Sequence, residues 1–236
     1  VRWRTAGFFG LLGLVAGAVQ VVAALLAPVG LYYPDAFCYV VVPKGAPCSG
    51  HPPGITMVWR ILGLGVLSEH RVLVVQAVLG VASVLLLGWA LRSRGSDRVA
   101  LVLAGAFALL PLRLFFTRTL MTETVETFFI CAFLAAAVQC TRPARWWSHV
   151  GWQLVASACL GAAASVHFAF LPVAIGLWVA MVAITTLQAP WVGLARGRRL
   201  PGIVGSSAVA LLVLLATMLP AALDEHRWYG TLSGNP

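Results

Sequence analysis

From Thr5 to Ala27 the chain carries no ionisable side chain, and apolar runs of similar character recur as far as Leu219. A hydrocarbon core is spanned by roughly 20 helical residues, so the first run is long enough to cross one. Inside lipid every backbone N–H and C=O must be paired within the protein, which restricts a lone apolar run of this kind to α-helix. Composition points the same way. The 236 residues are 61% hydrophobic and 10% charged, with a mean hydropathy of +0.93, more apolar surface than a soluble domain of this size can hide. Arg2 and Arg4 precede the first run, which exceeds a signal-peptide core and lacks a small-residue cleavage site. It reads as an uncleaved first transmembrane helix.

The runs predict an all-α, polytopic transmembrane helical bundle of about seven spans. These are Thr5–Ala27, Arg71–Leu91, Val99–Phe116, Leu120–Cys140, Val150–Val166, Phe168–Leu187 and Ile203–Leu219, with Pro111 expected to kink or end the third. Ten of the sixteen basic residues then fall on one side: Arg2, Arg4, Arg92, Arg94, Arg98, Arg142, Arg145, Arg196, Arg198 and Arg199. Of the acidic residues only Asp97 joins them. By the positive-inside rule that side is cytoplasmic, the protein is multi-pass in the plasma membrane, and its active side is extracytoplasmic. The net charge of +9 therefore sets topology and does not form a phosphate-binding stripe, so nucleic acid is not expected as a partner. The whole chain reads as one transmembrane domain, 1–236, with a large first outer loop (31–70) and an outer terminal segment (221–236). Within the loop, Gly54–Leu67 is expected to form a short surface-lying helix.

The stretch Leu31–Met57, LYYPDAFCYVVVPKGAPCSGHPPGITM, is the longest interval in the first half that does not read as a buried helix. Irregular backbone of this kind belongs at a membrane surface or lining a protected cavity. Asp35 follows Tyr32, Tyr33 and Pro34, the aromatic pair anchoring it at headgroup depth. It reads as a solvated loop residue or helix cap, or as a general base or metal ligand. Glu123 and Glu126, three residues apart, share a helix face at the outer start of the fourth span. Terminal electrostatics accounts for one such glutamate, with Thr119 or Thr122 as cap. Glu126 is expected to face other protein or a cavity. Lys44, His51, Arg60, Arg71, Arg113, Arg118 and Arg227 are assigned to the same outer side. Arginines there either snorkel or neutralise an anionic lipid headgroup. His51 is open to phosphate contact, metal ligation or ordering of the turn, and no HExxH-type signature names an ion.

Cysteine spacing fits neither a zinc finger nor a dense disulfide scaffold. Cys38 and Cys48 are spaced for a small loop closure on an oxidising side, while Cys131, Cys140 and Cys159 read as small residues in spans. His167 is read as a packing or junction residue. Trp146, Trp147 and Trp152 are expected as an interface belt, and Gly161 with its neighbouring alanines permits close helix approach.

An aspartate just after the first helix, GHPPGITM entering a short helix, and RTLMTET (Arg118–Thr124) at a helix entry resemble the GT-C class of polytopic glycosyltransferases. That class includes protein O-mannosyltransferases, aminoarabinose transferases and cell-envelope mannosyl- and arabinosyltransferases. The terminal DEHRWYGTLSG is similar to the segment following a later span in such proteins. The resemblance implies a polyprenyl-phosphate-linked sugar donor and a glycan, protein or lipid acceptor on the extracytoplasmic side. It makes Asp35 the general base, Glu123 the second acidic residue of the rim, and His51 the His-Pro-Pro histidine. Arg118 and Arg227 then contact phosphate, and Glu126, Lys44, Arg60 and Tyr33 complete the candidate substrate-binding set. No cofactor is implied with certainty, and a divalent metal is left open. Members commonly have more spans, so the chain reads as an amino-terminal portion or a reduced relative.

Two other functions fit parts of the sequence. One is a non-catalytic polyprenyl-lipid-binding or accessory subunit of a cell-envelope assembly, working with a membrane protein partner. The other is a small-solute transporter, which the clustering of polar residues at one face disfavours, since transporter sites lie near the midplane.

Overall fold

The computed structural model describes residues 5–27, 69–119, 122–142, 146–167, 170–188, 205–217 and 219. Among these residues all regular structure is helical, in eight helices. They are α1 (Thr5–Leu26), α2 (Glu69–Arg92), α3 (Asp97–Ala108), α4 (Pro111–Arg118), α5 (Glu123–Cys140), α6 (Trp146–Val166), α7 (Leu171–Gln188) and α8 (Gly205–Thr217). Four, α1, α2, α5 and α6, are long and apolar enough to cross a membrane, and α3 with α4 makes a fifth if the bent pair is one span. The apolar stretches Leu171–Thr185 and Gly205–Thr217 fall short of that length. The predicted loop helix Gly54–Leu67 and the Cys38–Cys48 closure lie outside the described residues.

Helix α1 buries one stripe, Phe8, Leu12, Ala16 and Gln20, at the four-residue spacing that keeps side chains on one face. Its remaining surface is just as apolar. Leu14, Leu25 and Leu26 are exposed, Leu26 to 82%, an arrangement suited to lipid and costly in water. The stripe meets α2 where α2 lacks side chains. A methyl group at Gly88 would lie 2.4 Å from Leu12 Cδ2, and Gly80 faces Gln20. These pairings make α1 and α2 antiparallel. Small residues on α3 (Ala100, Ala104, Ala108) close the same core with Phe8, Leu12 and Val84.

Helix α3 starts where Ser96 Oγ accepts from the Val99 N–H, and Asp97 in its first turn suits the positive end of the helix dipole. It ends at Leu109–Leu110. Pro111 has no N–H to continue the ladder, and α4 leaves at 52° to α3. Of the two expected outcomes at Pro111, a kink or an end, the helix ends and a second one begins.

The second core joins α5, α6, α7 and α8 through Phe133, Ala136, Ala156, Leu160, Ala174, Met181 and Leu214. Helices α5 and α6 are antiparallel, since His149 bonds the Cys140 carbonyl at one end and His167 meets Glu126 at the other. Gly161 of α6 lets α8 approach so closely that a methyl there would lie 2.7 Å from the Leu214 carbonyl oxygen. Trp152, half-buried, has a partner on a neighbouring helix. It packs on Trp89 of α2 with ring centroids 5.8 Å apart, whereas Trp147 is 79% exposed.

Candidate functional site

Antiparallel packing brings the carboxyl ends of α1, α4 and α6 together with the start of α5. Of the residues singled out in the sequence, Glu123, Glu126 and Arg118 lie at this end. Asp35, His51, Lys44, Arg60, Arg227 and Tyr33 lie outside the described residues.

Glu123 and Glu126 occupy the first turn of α5, where the exposed N–H groups of the helix favour negative charge. The expected threonine cap is absent. Thr122 holds the N-cap position in a helical conformation without a side-chain capping bond, and the Thr119 hydroxyl donates to the Phe116 carbonyl at 3.2 Å. Glu126 faces protein, as its position one turn into the helix suggests. Its Oε2 is 2.9 Å from Nδ1 of His167, and the two side chains are 14% and 42% exposed.

His167 directly follows α6 and is fixed on both sides by its backbone, its N–H donating to Ala163 and its carbonyl accepting from Phe170. It stands at the helix junction, as the sequence suggests. Its pairing with a glutamate 41 residues earlier had no sequence signal beyond the presence of two ionisable residues near the ends of apolar runs. A carboxylate on Nδ1 sets the orientation of the ring and leaves Nε2 as its other polar edge.

The arginines behave differently from surface cations. Arg118 is buried, and its Nε donates to the Ala27 carbonyl at 2.9 Å, with Nη2 also donating to that oxygen. It thereby closes the carboxyl end of α1, where a cation is favoured and free carbonyls need donors. Arg113 is buried too. Its Nη1 donates to the Ala108 carbonyl at 3.2 Å, its Nη2 donates to the Gly80 carbonyl, and its guanidinium lies 5.1 Å from the Phe107 ring centre. The break at Pro111 frees the Ala108 carbonyl, and Arg113 is the donor that takes it. Snorkelling does not describe either side chain, and Arg113 is a structural residue of the broken helix. Gln20 shares this interior. Both its amide atoms are buried without a hydrogen-bond partner among the described residues, an arrangement that penalises the fold unless a further polar group joins it.

Beside these groups runs an apolar groove of about 480 Å³ between α1 and the α3–α4 break. Val19, Val22, Leu26, Leu109 and Phe115 line it, and Arg118 stands among its wall residues. Among the described residues no three His, Cys, Asp or Glu side chains converge on a point that could hold a metal ion.

The described residues define a class, an all-helical arrangement with four helices of membrane-spanning length among them. Comparison with protein-family models, with curated proteins and with solved structures finds no match in any of the three.

Proposed function

We propose that the chain is a membrane glycosyltransferase that moves a sugar from a polyprenyl-phosphate donor to an acceptor hydroxyl, with Asp35 as general base. One observation carries this reading. An apolar groove of a size suited to a lipid chain lies along α1 and α4, and its wall reaches Arg118 at the end of the bundle that holds Glu123, Glu126 and His167. Ionisable groups beside a lipid-facing groove are what a lipid-linked, charged substrate requires, and such groups are costly in a membrane without a role. In the proposed reaction the acceptor hydroxyl loses its proton to Asp35 and bonds to the anomeric carbon. The bond from that carbon to the phosphate oxygen breaks, and the phosphate leaves with the electron pair. Cations stabilise the charge gathering on it. In this reading α3 with α4, α7 and α8 complete the seven spans, and the glutamate end faces the extracytoplasmic side.

The test is release of polyprenyl phosphate from a polyprenyl-phosphate sugar by the reconstituted chain. The reading expects release by the wild type and none by Asp35→Asn of equal thermal stability; full turnover by that variant removes Asp35 from the mechanism. A second reading, a non-catalytic lipid-binding subunit, is favoured by the nearly uniform apolar lining of the groove. It expects saturable lipid binding without release.

A further inference from the structure

The end of the bundle opposite Glu123 holds a different charge arrangement. Arg92 donates from Nε to Asp97 Oδ1 at 2.9 Å, so the carboxylate on α3 is engaged by the cation at the end of α2. Arg94 and Arg142 stand across the α2–α5 gap and meet neutral groups. Arg94 Nη2 reaches the Val138 carbonyl at 3.4 Å, while Arg142 donates to Gln139 Oε1 at 3.1 Å and to the Ser93 carbonyl at 3.2 Å. Both side chains are exposed. Each guanidinium carries five N–H donors, so most of Arg94's and several of Arg142's point away from these bonds.

Helix closure accounts for part of this, because cations favour the carboxyl ends of α2 and α5. It does not account for Arg98. That residue is exposed in the first turn of α3, where the helix dipole disfavours a cation. Directly after it, Val99, Val102 and Leu103 are exposed on the same short helix, and Trp147, the side chain suited to a membrane–water boundary, is exposed at the start of α6 at this end. Arg98 thus borders an apolar helix surface, and among the described residues none of Arg94, Arg98 and Arg142, all at this end of the bundle, has a carboxylate partner.

We propose that Arg94, Arg98 and Arg142 form a docking surface for an anionic phospholipid, its headgroup phosphate held by the guanidinium groups and its acyl chains lying along Val99, Val102 and Leu103. Charge complementarity selects the anionic headgroup, and the adjoining apolar face selects a lipid over a free anion. The site is separate from the proposed transfer chemistry and stands whether or not that chemistry is correct.

The experiment is native mass spectrometry of the full chain released from micelles containing phosphatidylglycerol or phosphatidylcholine, alongside thermal unfolding with each lipid added. The wild type should retain phosphatidylglycerol preferentially and gain stability from it. Arg98→Gln, which removes no hydrogen bond among the described residues, should lower that preference by about fivefold per lost cation while leaving unfolding in phosphatidylcholine unchanged. Arg94→Gln with Arg142→Gln should lower it by about twenty-five-fold on the same scale. Equal retention of the two lipids overturns the proposal, as does an undiminished preference in Arg98→Gln. Displacement of the bound lipid by millimolar inorganic phosphate also overturns it, since the acyl chains would then contribute nothing.

Discussion

Replacing Gly161 with alanine distinguishes a tight α6–α8 interface from a loose one by the sign of its effect. In a helix with free space, glycine to alanine stabilises by about 1 kcal/mol through backbone entropy. At Gly161 the new methyl would lie 2.7 Å from the Leu214 carbonyl oxygen and 1.8 Å from Thr217 Oγ1. The threonine can rotate, at the expense of its bonds to the Val213 and Leu214 carbonyls. The backbone oxygen cannot, so α8 must retreat by about 0.7 Å to reach the 3.4 Å at which ordinary contact begins. Overpacking of this kind costs about 3 kcal/mol at the upper end of its usual range. Set against the propensity gain, a net destabilisation of about 2 kcal/mol is expected. The assay is reversible unfolding in mixed micelles, with Gly151→Ala as control, since Gly151 lies on the same helix with no atom near its added methyl. The control should be neutral or stabilised. Adding Thr217→Ala to Gly161→Ala should recover only part of the loss. Equal stabilisation by Gly161→Ala and Gly151→Ala would refute the close approach.

Four further outcomes are expected. Arg113→Leu should lower stability by about 1–3 kcal/mol because it strands buried carbonyls at Ala108 and Gly80; Arg113→Lys should recover little, since an ammonium cannot reproduce the guanidinium fork. Unfolding in detergent measures both. A double-mutant cycle on Glu126→Gln and His167→Ala should give a coupling of at least about 0.5 kcal/mol, and additive effects would show the 2.9 Å contact contributes nothing. Asp97→Asn should cost about 1 kcal/mol through loss of its partly buried pairing with Arg92, read from the same unfolding curves. Finally, Cys131 and Cys140 are buried thiols, so a variant whose other cysteines are serine should react with maleimide only on unfolding.

Helix positions were legible in the sequence because lipid-compatible helices need long uninterrupted apolar runs, and such runs are a one-dimensional property. Thr5–Ala27 and Arg71–Leu91 differ from the observed α1 and α2 by at most two residues at any end. The break at Pro111 was signalled by the missing N–H of proline. The roles of Arg113 and Arg118 were not, because a cation near the end of an apolar run reads identically whether it meets lipid phosphate or a helix carbonyl.

By itself, then, the sequence determined that this chain is a bundle of apolar helices with carboxylates and arginines segregated toward their ends. Local hydropathy and backbone satisfaction are enough for that. Only the tertiary structure decided which of those charged groups face each other. Glu126 finds His167 because α5 and α6 run antiparallel over nearly their full lengths, and Arg113 finds Gly80 because the Pro111 break turns α4 onto α2. Such pairings depend on helix direction and rotation, which are set by small contacts such as Gly88 against Leu12 and Gly161 against Leu214. No run of residues along the chain encodes them singly.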